Sequence, residues 1–393
     1  MIVKKVHINN LKLGMYVSHL DRPWVQTPFL FQGFFLNKHL QIDDVRKHCG
    51  HVYIDIERGE PADVYLEDDA DDKTEVDSIK VEKVLPQAKI KYKRVTESLT
   101  NMMQGIKQGK HLDMAKIKAD TLDMIEDILR IEDAYLLLTK LKDKDNYTYL
   151  HSLSSSILGV KFCKELCLSG QELRDLALGI MLFDVGKMMV PDSLINKQGK
   201  LTDTEYSLLK LHVNYSIKQV ETLDNVSQSI IDTIASHHER FDGSGYPKGI
   251  KAKEIPLFAR IAGIVDTYDA ITSERLYCKA RSHDDAIKEL YRQANTGFPE
   301  GLIEQFVQCL GIYPTGSLVE LSTGEVGIVI QQSKIRRLKP RVMIILNKDK
   351  VSNDYFPIID LLTADKDKDG QPYEIKKSIK PEDYGIDPVK YYL

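Results

Sequence analysis

The chain has 393 residues, 42% apolar and 28% charged, enough to bury a sizeable core in two or three domains. Its formal net charge is −4 and its basic residues are spread along the chain, so no electrostatic footprint for nucleic acid is present. No run of about 18 apolar residues occurs, "MIVKKVHINNLKLGM" lacks the pattern of a secretory signal, and five scattered cysteines make no disulfide framework; a cytoplasmic protein without membrane insertion is expected.

Residues 1–62 read as a small β-rich domain. "VKKVHI", "MYVSHL", "GFFL" and "HVYIDI" are β-branched or aromatic runs separated by turn residues. "DRPWVQTPF" holds the only tryptophan, and its prolines make it a loop or edge segment. Residues 63–78, with "EDDADDKTEVD", are acidic and poor in large apolar side chains, which describes a solvated linker rather than a folded element. From 79 to 142 the period changes to that of a helix. Leu112, Ala115, Ala119, Leu122, Ile125 and Leu129 recur at three- and four-residue steps, predicting a connector of one or two helices packed on the following domain.

Residues 143–312 are helical with short polar breaks. Cys163 and Cys167 share a helix face, and no second pair follows at zinc-site spacing, so two buried thiols are expected. A β extension over 313–363 follows, in which "GSLVELSTGEVGIVIQQ" turns at "STGE" and "PRVMIIL" adds a strand. Residues 364–393 read as a polar, disordered tail. Its "DKDKDG" begins like a calcium loop but has no glutamate at the twelfth position and no flanking helices.

The helical region carries an ordered series of metal-ligand side chains: His151, Asp184, His212, the pair His237 and His238, and Asp266. Their spacing suits one helical hairpin per ligand around a shared pocket. Imidazoles and carboxylates suit Fe, Mn, Ni or Zn, and two such ions about 3.5–4 Å apart can clamp a phosphodiester and activate water. Taken singly, each histidine suits a packed core position as well as a ligand position. The adjacent pair, followed by glutamate and by the glycine-rich "RFDGSGYP", favours the pocket, because glycine lets a backbone approach a ligand closely.

The stretch "HHERFDGSGYPKGIKAKEIPLFARIAGIVDTYDAITSERLY" resembles the signature of HD-GYP domains, metal-dependent phosphodiesterases that hydrolyse the second messenger cyclic di-GMP. The resemblance runs from about Asp145 to Phe306. "LKLGMYVSHLDRPWVQTPFLFQGF" is similar to the N-terminal domain of uncharacterised function often fused to them, and "YPTGSLVELSTGEVGIVI" to their usual β extension. It implies a mainly α protein, an all-helical HD-type phosphohydrolase domain flanked by the small N-terminal domain and the β extension.

It also implies roles. His151 and Asp266 match first-metal ligands, Asp184 the bridging carboxylate, and His212, His237 and His238 the second-metal ligands. Lys187 matches the lysine near the scissile phosphate, and Gly245, Tyr246 and Pro247 form the name-giving triplet. Arg275 fits the arginine that holds a phosphate or guanine, a task suited to a planar donor fork. Implied cofactors are one or two divalent transition metals, and the implied ligand is cyclic di-GMP, with protein partners through the triplet loop or N-terminal domain and a homodimer as further options.

Two departures stand out. The "HD" histidine is Phe183, which has no lone pair, and Leu276, Tyr277 and Cys278 follow Arg275 where another cation is expected, leaving Lys279 as the substitute. Two functions follow from the resemblance: a phosphodiesterase weakened at its first metal, or a catalytically inactive member that binds cyclic di-GMP or a protein.

Overall fold

The computed structural model describes residues 3–22, 27, 33–55, 79–110, 114–140, 147–223, 226–274, 279–333, 336–352, 355–364, 366–367, 370–386 and 388–391. The N-terminal unit is an antiparallel sheet of β1 (Val3–His7), β2 (Tyr16–Leu20), β3 (Phe34–Phe35) and β4 (His51–Asp55), in the order β1-β4-β2-β3. One helix, α1 (His39–His48), crosses it. Ile42 and Val45 of α1 join Val6, Val17, Leu36, Val52 and Ile54 in a small core of their own. This helix is not legible in the sequence of the β-rich unit: with just two buried apolar side chains one turn apart, "HLQIDDVRKH" carries little periodic signal. Trp24, Pro23, Pro28 and the acidic linker lie outside the described residues.

The connector is two helices, α2 (Val81–Lys107) and α3 (Met114–Leu138), packed on each other and on the next domain. The face α3 buries matches the expected stripe only at Ile125 and, half-buried, at Leu122. Ile117, Met124, Ile125 and Ile128 point inward, while Ala115 and Ala119 are exposed and Leu129 is 38% exposed. Alanines make a weak stripe, and here the isoleucines decide the rotation of the helix. Ile131, at φ −136° and ψ 48°, breaks α3. Just beyond it, Glu132 accepts from Lys161 (3.1 Å) and Lys164 (2.8 Å), and Asp133 from the Thr315 hydroxyl.

The helical domain follows: α4 (Tyr147–Glu165), α5 (Gly170–Leu182), a 3-10 turn (Val185–Met189), the single turn α6 (Asp192–Ile195), α7 (Asp203–Glu221), α8 (Gln228–Ser236), α9 (Leu257–Thr272), α10 (His283–Arg292) and α11 (Glu300–Leu310). Local chemistry sets the helix starts. Thr202 and Glu205 form a reciprocal capping box on α7, and Ser227 and Ser282 accept from third-residue amides at the heads of α8 and α10. Gly311, at φ +75°, ends α11. Cys163 is buried, but Cys167 is exposed at positive φ just past α4, which corrects the expectation of two buried thiols.

The chain ends in an antiparallel sheet of β5 (Leu318–Leu321), β6 (Val326–Gln331), β7 (Arg341–Leu346), β8 (Ile358–Asp360) and β9 (Ile375–Ser378), in the order β8-β7-β6-β5-β9. Strand β9 corrects the reading of residues 364–393 as a disordered tail. It pairs with β5, and Ile379 and Ile386 are buried after it. After Ile375, which packs half-buried on the sheet's core, its side chains "KKS" are polar because that edge faces water. None of the described helices is long and apolar enough to cross a membrane.

Burial opposes the charge on Glu132, but Lys161 and Lys164 outweigh it and hold its pKa to about 2. A depressed carboxylate pKa contributes stability that is present above its ordinary value and lost as pH falls toward the folded one. Lys161→Met, which leaves Glu132 with a single exposed partner, is expected to cost about 3 kcal/mol in urea unfolding at pH 7. The gap between variant and parent should narrow as the pH is lowered from 4.5 toward 2.

Candidate metal centre

Five helical segments bring the ligand-type side chains together. Asp184 sits where α5 gives way to the 3-10 turn, His212 in the middle of α7, His237 and His238 just past α8, His151 in α4 and Asp266 in α9. Close approach of the 3-10 turn to α7 requires Gly186. A Cβ there would lie 2.1 Å from the His212 carbonyl oxygen and 2.4 Å from the Ser216 amide nitrogen. Ser216 uses that contact: its hydroxyl donates to the Phe183 carbonyl and accepts from the Gly186 amide, both at 2.8 Å.

Asp184, His212, His237 and His238 each offer a donor atom within 4.8 Å of the others. The Nδ1 atoms of His212 and His237 lie 2.7 and 2.8 Å from the carbonyls of Leu209 and Ile234. A carbonyl can only accept, so Nδ1 carries the proton and the Nε2 lone pair faces the cluster. Those two Nε2 atoms and Asp184 Oδ1 are buried with no hydrogen-bond partner. Three converging acceptors in a dry interior are costly to leave bare, and a divalent transition metal is the group that satisfies imidazole and carboxylate donors together. The residues fit a metal.

The electrostatics agree. Burial lowers His212 to about 4 and also lowers His237, while Asp184 pulls both upward. His238 lies well below its ordinary value through burial and the neighbouring His237 and His212. Burial opposes ionisation of Asp184, yet Lys187, His212, His151 and His237 hold its pKa far below the usual carboxylate range. Three neutral imidazoles around one ionised carboxylate are the protonation states that metal binding needs.

His151 and Asp266 lie beside this cluster but outside it. His151 Nδ1 is 2.7 Å from Asp269 Oδ2, and its Nε2 is 2.9 Å from Asp266 Oδ1 and 3.8 Å from Asp184 Oδ2. Burial disfavours a charged His151, but the hydrogen bonds of Asp266 and Asp269 outweigh it and raise its pKa. Asp184 Oδ2 is in turn taken by Lys187 Nζ at 2.5 Å. Phe183, fully buried, fills the remaining space: its ring stacks 5.8 Å from His151 and lies 4.7 Å from His237. A phenyl ring packed against both His151 and His237 is therefore an observed packing element.

The triplet loop is bolted to the ligand segment. A Cβ on Gly245 would meet Arg240 N at 2.3 Å and the His238 carbonyl oxygen at 2.5 Å, so only glycine permits this approach. Tyr246 stacks on His238 at 4.6 Å, and the peptide to Pro247 is cis. Buried Glu239 accepts from the amides of Lys248 (2.7 Å) and Gly249 (3.2 Å). Arg275 lies outside the described residues. Lys279 is exposed.

Sequence reasoning passed over Asp269, Ser216 and the role of Glu239. Asp269 was findable as a second carboxylate one turn after Asp266, and Ser216 as a small polar residue one turn after His212.

Comparison with known proteins bears on this geometry. The HD domain family matches residues 123–299, and a domain of unknown function, DUF3391, matches residues 3–117. Cyclic di-GMP phosphodiesterase PA4108 of Pseudomonas aeruginosa is 32% identical over 354 residues, covering 87% of this chain and 85% of that protein. The chain belongs to the HD-GYP family. A second HD-GYP relative, the cyclic di-GMP phosphodiesterase response regulator RpfG of Xanthomonas campestris, is 36% identical over 162 residues, 39% of this chain and 43% of that one. The solved structure of Bd1817 of Bdellovibrio bacteriovorus, an HDG"Y"P protein, aligns over 78% of this chain and 98% of its own with a TM-score of 0.48 at 16% identity.

Gly186→Ala tests the close approach that this HD-GYP centre depends on. It is expected to destabilise the protein by about 2–3 kcal/mol through overpacking and, by displacing His212, to lower the metal content of the folded protein. Chemical denaturation and elemental analysis read the two effects separately.

Proposed function

We propose that this protein is a cyclic di-GMP phosphodiesterase that works through one metal site, held by Asp184, His212, His237 and His238, and turns over slowly because Phe183 fills the position of a second. The three buried, unpartnered donor atoms of Asp184, His212 and His237 carry this reading. The name of the PA4108 relative, aligned over most of both chains, supports the substrate.

When bound, a divalent ion supplies Lewis acidity toward a phosphoryl oxygen and lowers the pKa of water, whichever of Fe, Mn, Ni or Zn occupies the site. The chain's own residues supply the rest. Lys187, only part-buried and paired with Asp184, would offer a positive charge to a phosphate oxygen at the centre. The Tyr246 ring, stacked on His238, walls one side, and Phe183 keeps water out of the other. His151, gripped by Asp266 and Asp269, stays fixed beside the reacting group. Losing a second ion removes transition-state stabilisation of several kcal/mol, worth several powers of ten in rate.

One observation favours a second reading, a module that binds cyclic di-GMP without cleaving it. Both His151 nitrogens already face carboxylates, and the phenyl ring occupies the space between His151 and His237.

Metal-reconstituted protein separates the two. About one metal per chain is expected by elemental analysis, with slow hydrolysis of cyclic di-GMP that Asp184→Ala abolishes and Phe183→His raises by roughly tenfold or more. Binding with no turnover in the parent, and turnover only in Phe183→His, leaves the binding module as the function. A parent with no metal and no binding sinks both.

A further inference from the structure

Lys210 stands two residues before His212 on α7, and its surroundings are unlike those of the other lysines near the centre. Lys187 is paired with Asp184 at 2.5 Å and Lys197 with Glu205 at 2.6 Å. Among the described residues no carboxylate pairs with Lys210. Its ammonium instead lies 4.4 Å from the centroid of the Tyr206 ring and 5.2 Å from that of Tyr246. The two rings meet edge to face at 6.2 Å and 82°, and Tyr246 stacks on His238 at 4.6 Å and 27°. A continuous aromatic row therefore runs from a metal-ligand imidazole outward to Tyr206, which is 44% exposed, with one cation over its outer half.

Aromatic faces hold an ammonium in place by their quadrupole without neutralising it, so the charge remains available to an anion. A cyclic dinucleotide carries two phosphodiesters, and only one can lie at the metal centre beside Lys187. The other stays anionic at neutral pH and needs its own cation close by.

We propose that Lys210, oriented by Tyr206 and Tyr246, binds the uncleaved phosphate of a cyclic dinucleotide whose other phosphate lies at the Asp184, His212, His237 and His238 centre. The assignment rests on the function proposed above and adds a substrate-positioning residue to it. Lys210 selects for the closed, two-phosphate ring over ligands with a single phosphodiester.

The test uses the full-length, metal-loaded protein with wild type, Lys210→Ala, Lys210→Arg and Tyr206→Leu. Calorimetry measures binding of cyclic di-GMP and of GpG, a linear dinucleotide with one phosphodiester. Removing a charge-assisted contact in Lys210→Ala is expected to weaken cyclic di-GMP about tenfold and GpG by no more than about twofold. Metal content should stay at the wild-type value, and affinity should fall less steeply with salt. Lys210→Arg should recover most of the loss, because it restores the charge, and Tyr206→Leu should give an intermediate loss. Equal affinity of wild type and Lys210→Ala for cyclic di-GMP overturns the subsite and leaves the function standing. So does a parallel loss of both ligands and of metal that arginine fails to rescue, which marks a structural role. Failure of wild type to bind cyclic di-GMP overturns the subsite together with the function it rests on.

Discussion

Keeping Asp184 ionised inside the protein is the constraint from which the helical domain takes its arrangement. A buried carboxylate without compensation would take up a proton rather than pay the desolvation cost. Here its two oxygens are served separately. Oδ2 takes the Lys187 ammonium, and Oδ1 turns toward the imidazoles of His212, His237 and His238. For those rings to be in reach, α7 must lie against the 3-10 turn, which requires a residue without a side chain at Gly186 and the Ser216 hydroxyl to tie the two backbones. The helix packing and the charge on one carboxylate are thus the same problem.

Phe183 changes the balance on the other side of that carboxylate. Where a further imidazole would add a donor to the pocket, the phenyl ring adds volume and removes water. His151 and Asp266 remain, and they satisfy each other with help from Asp269. A charge-balanced, hydrogen-bonded group has less to gain from an ion than the bare lone pairs of the neighbouring cluster. The asymmetry is one of unmet hydrogen-bonding need, and it lies between two halves of a pocket only a few side chains wide.

Much of this was legible in the sequence, and the exceptions have physical causes. The long run from His237 to Tyr277 identified the family, because a glycine-rich loop fixed to two adjacent histidines leaves little freedom in residue choice. The strands of both sheets were readable where their side chains are β-branched, as in β4, β6 and β7. Strand β9 was not, since its partner β5 supplies the apolar surface and its own face is wet. Helix α1 was too short for its two buried residues to show a period. The rotation of α3 depended on which apolar stripe wins against α2 and α4, a tertiary choice between alanines and isoleucines. In the centre, ligands were visible as residue types, whereas Asp269 and Ser216 act through other residues and have no spacing rule to mark them.

Glu239 ties the triplet loop to the centre. It follows the two histidines directly, and its carboxylate holds the amides of Lys248 and Gly249 on the far side of the triplet loop. The loop and the two histidines are therefore joined through a single residue. Where the loop sits and where the two imidazoles sit are thus a single structural choice, fixed through Glu239.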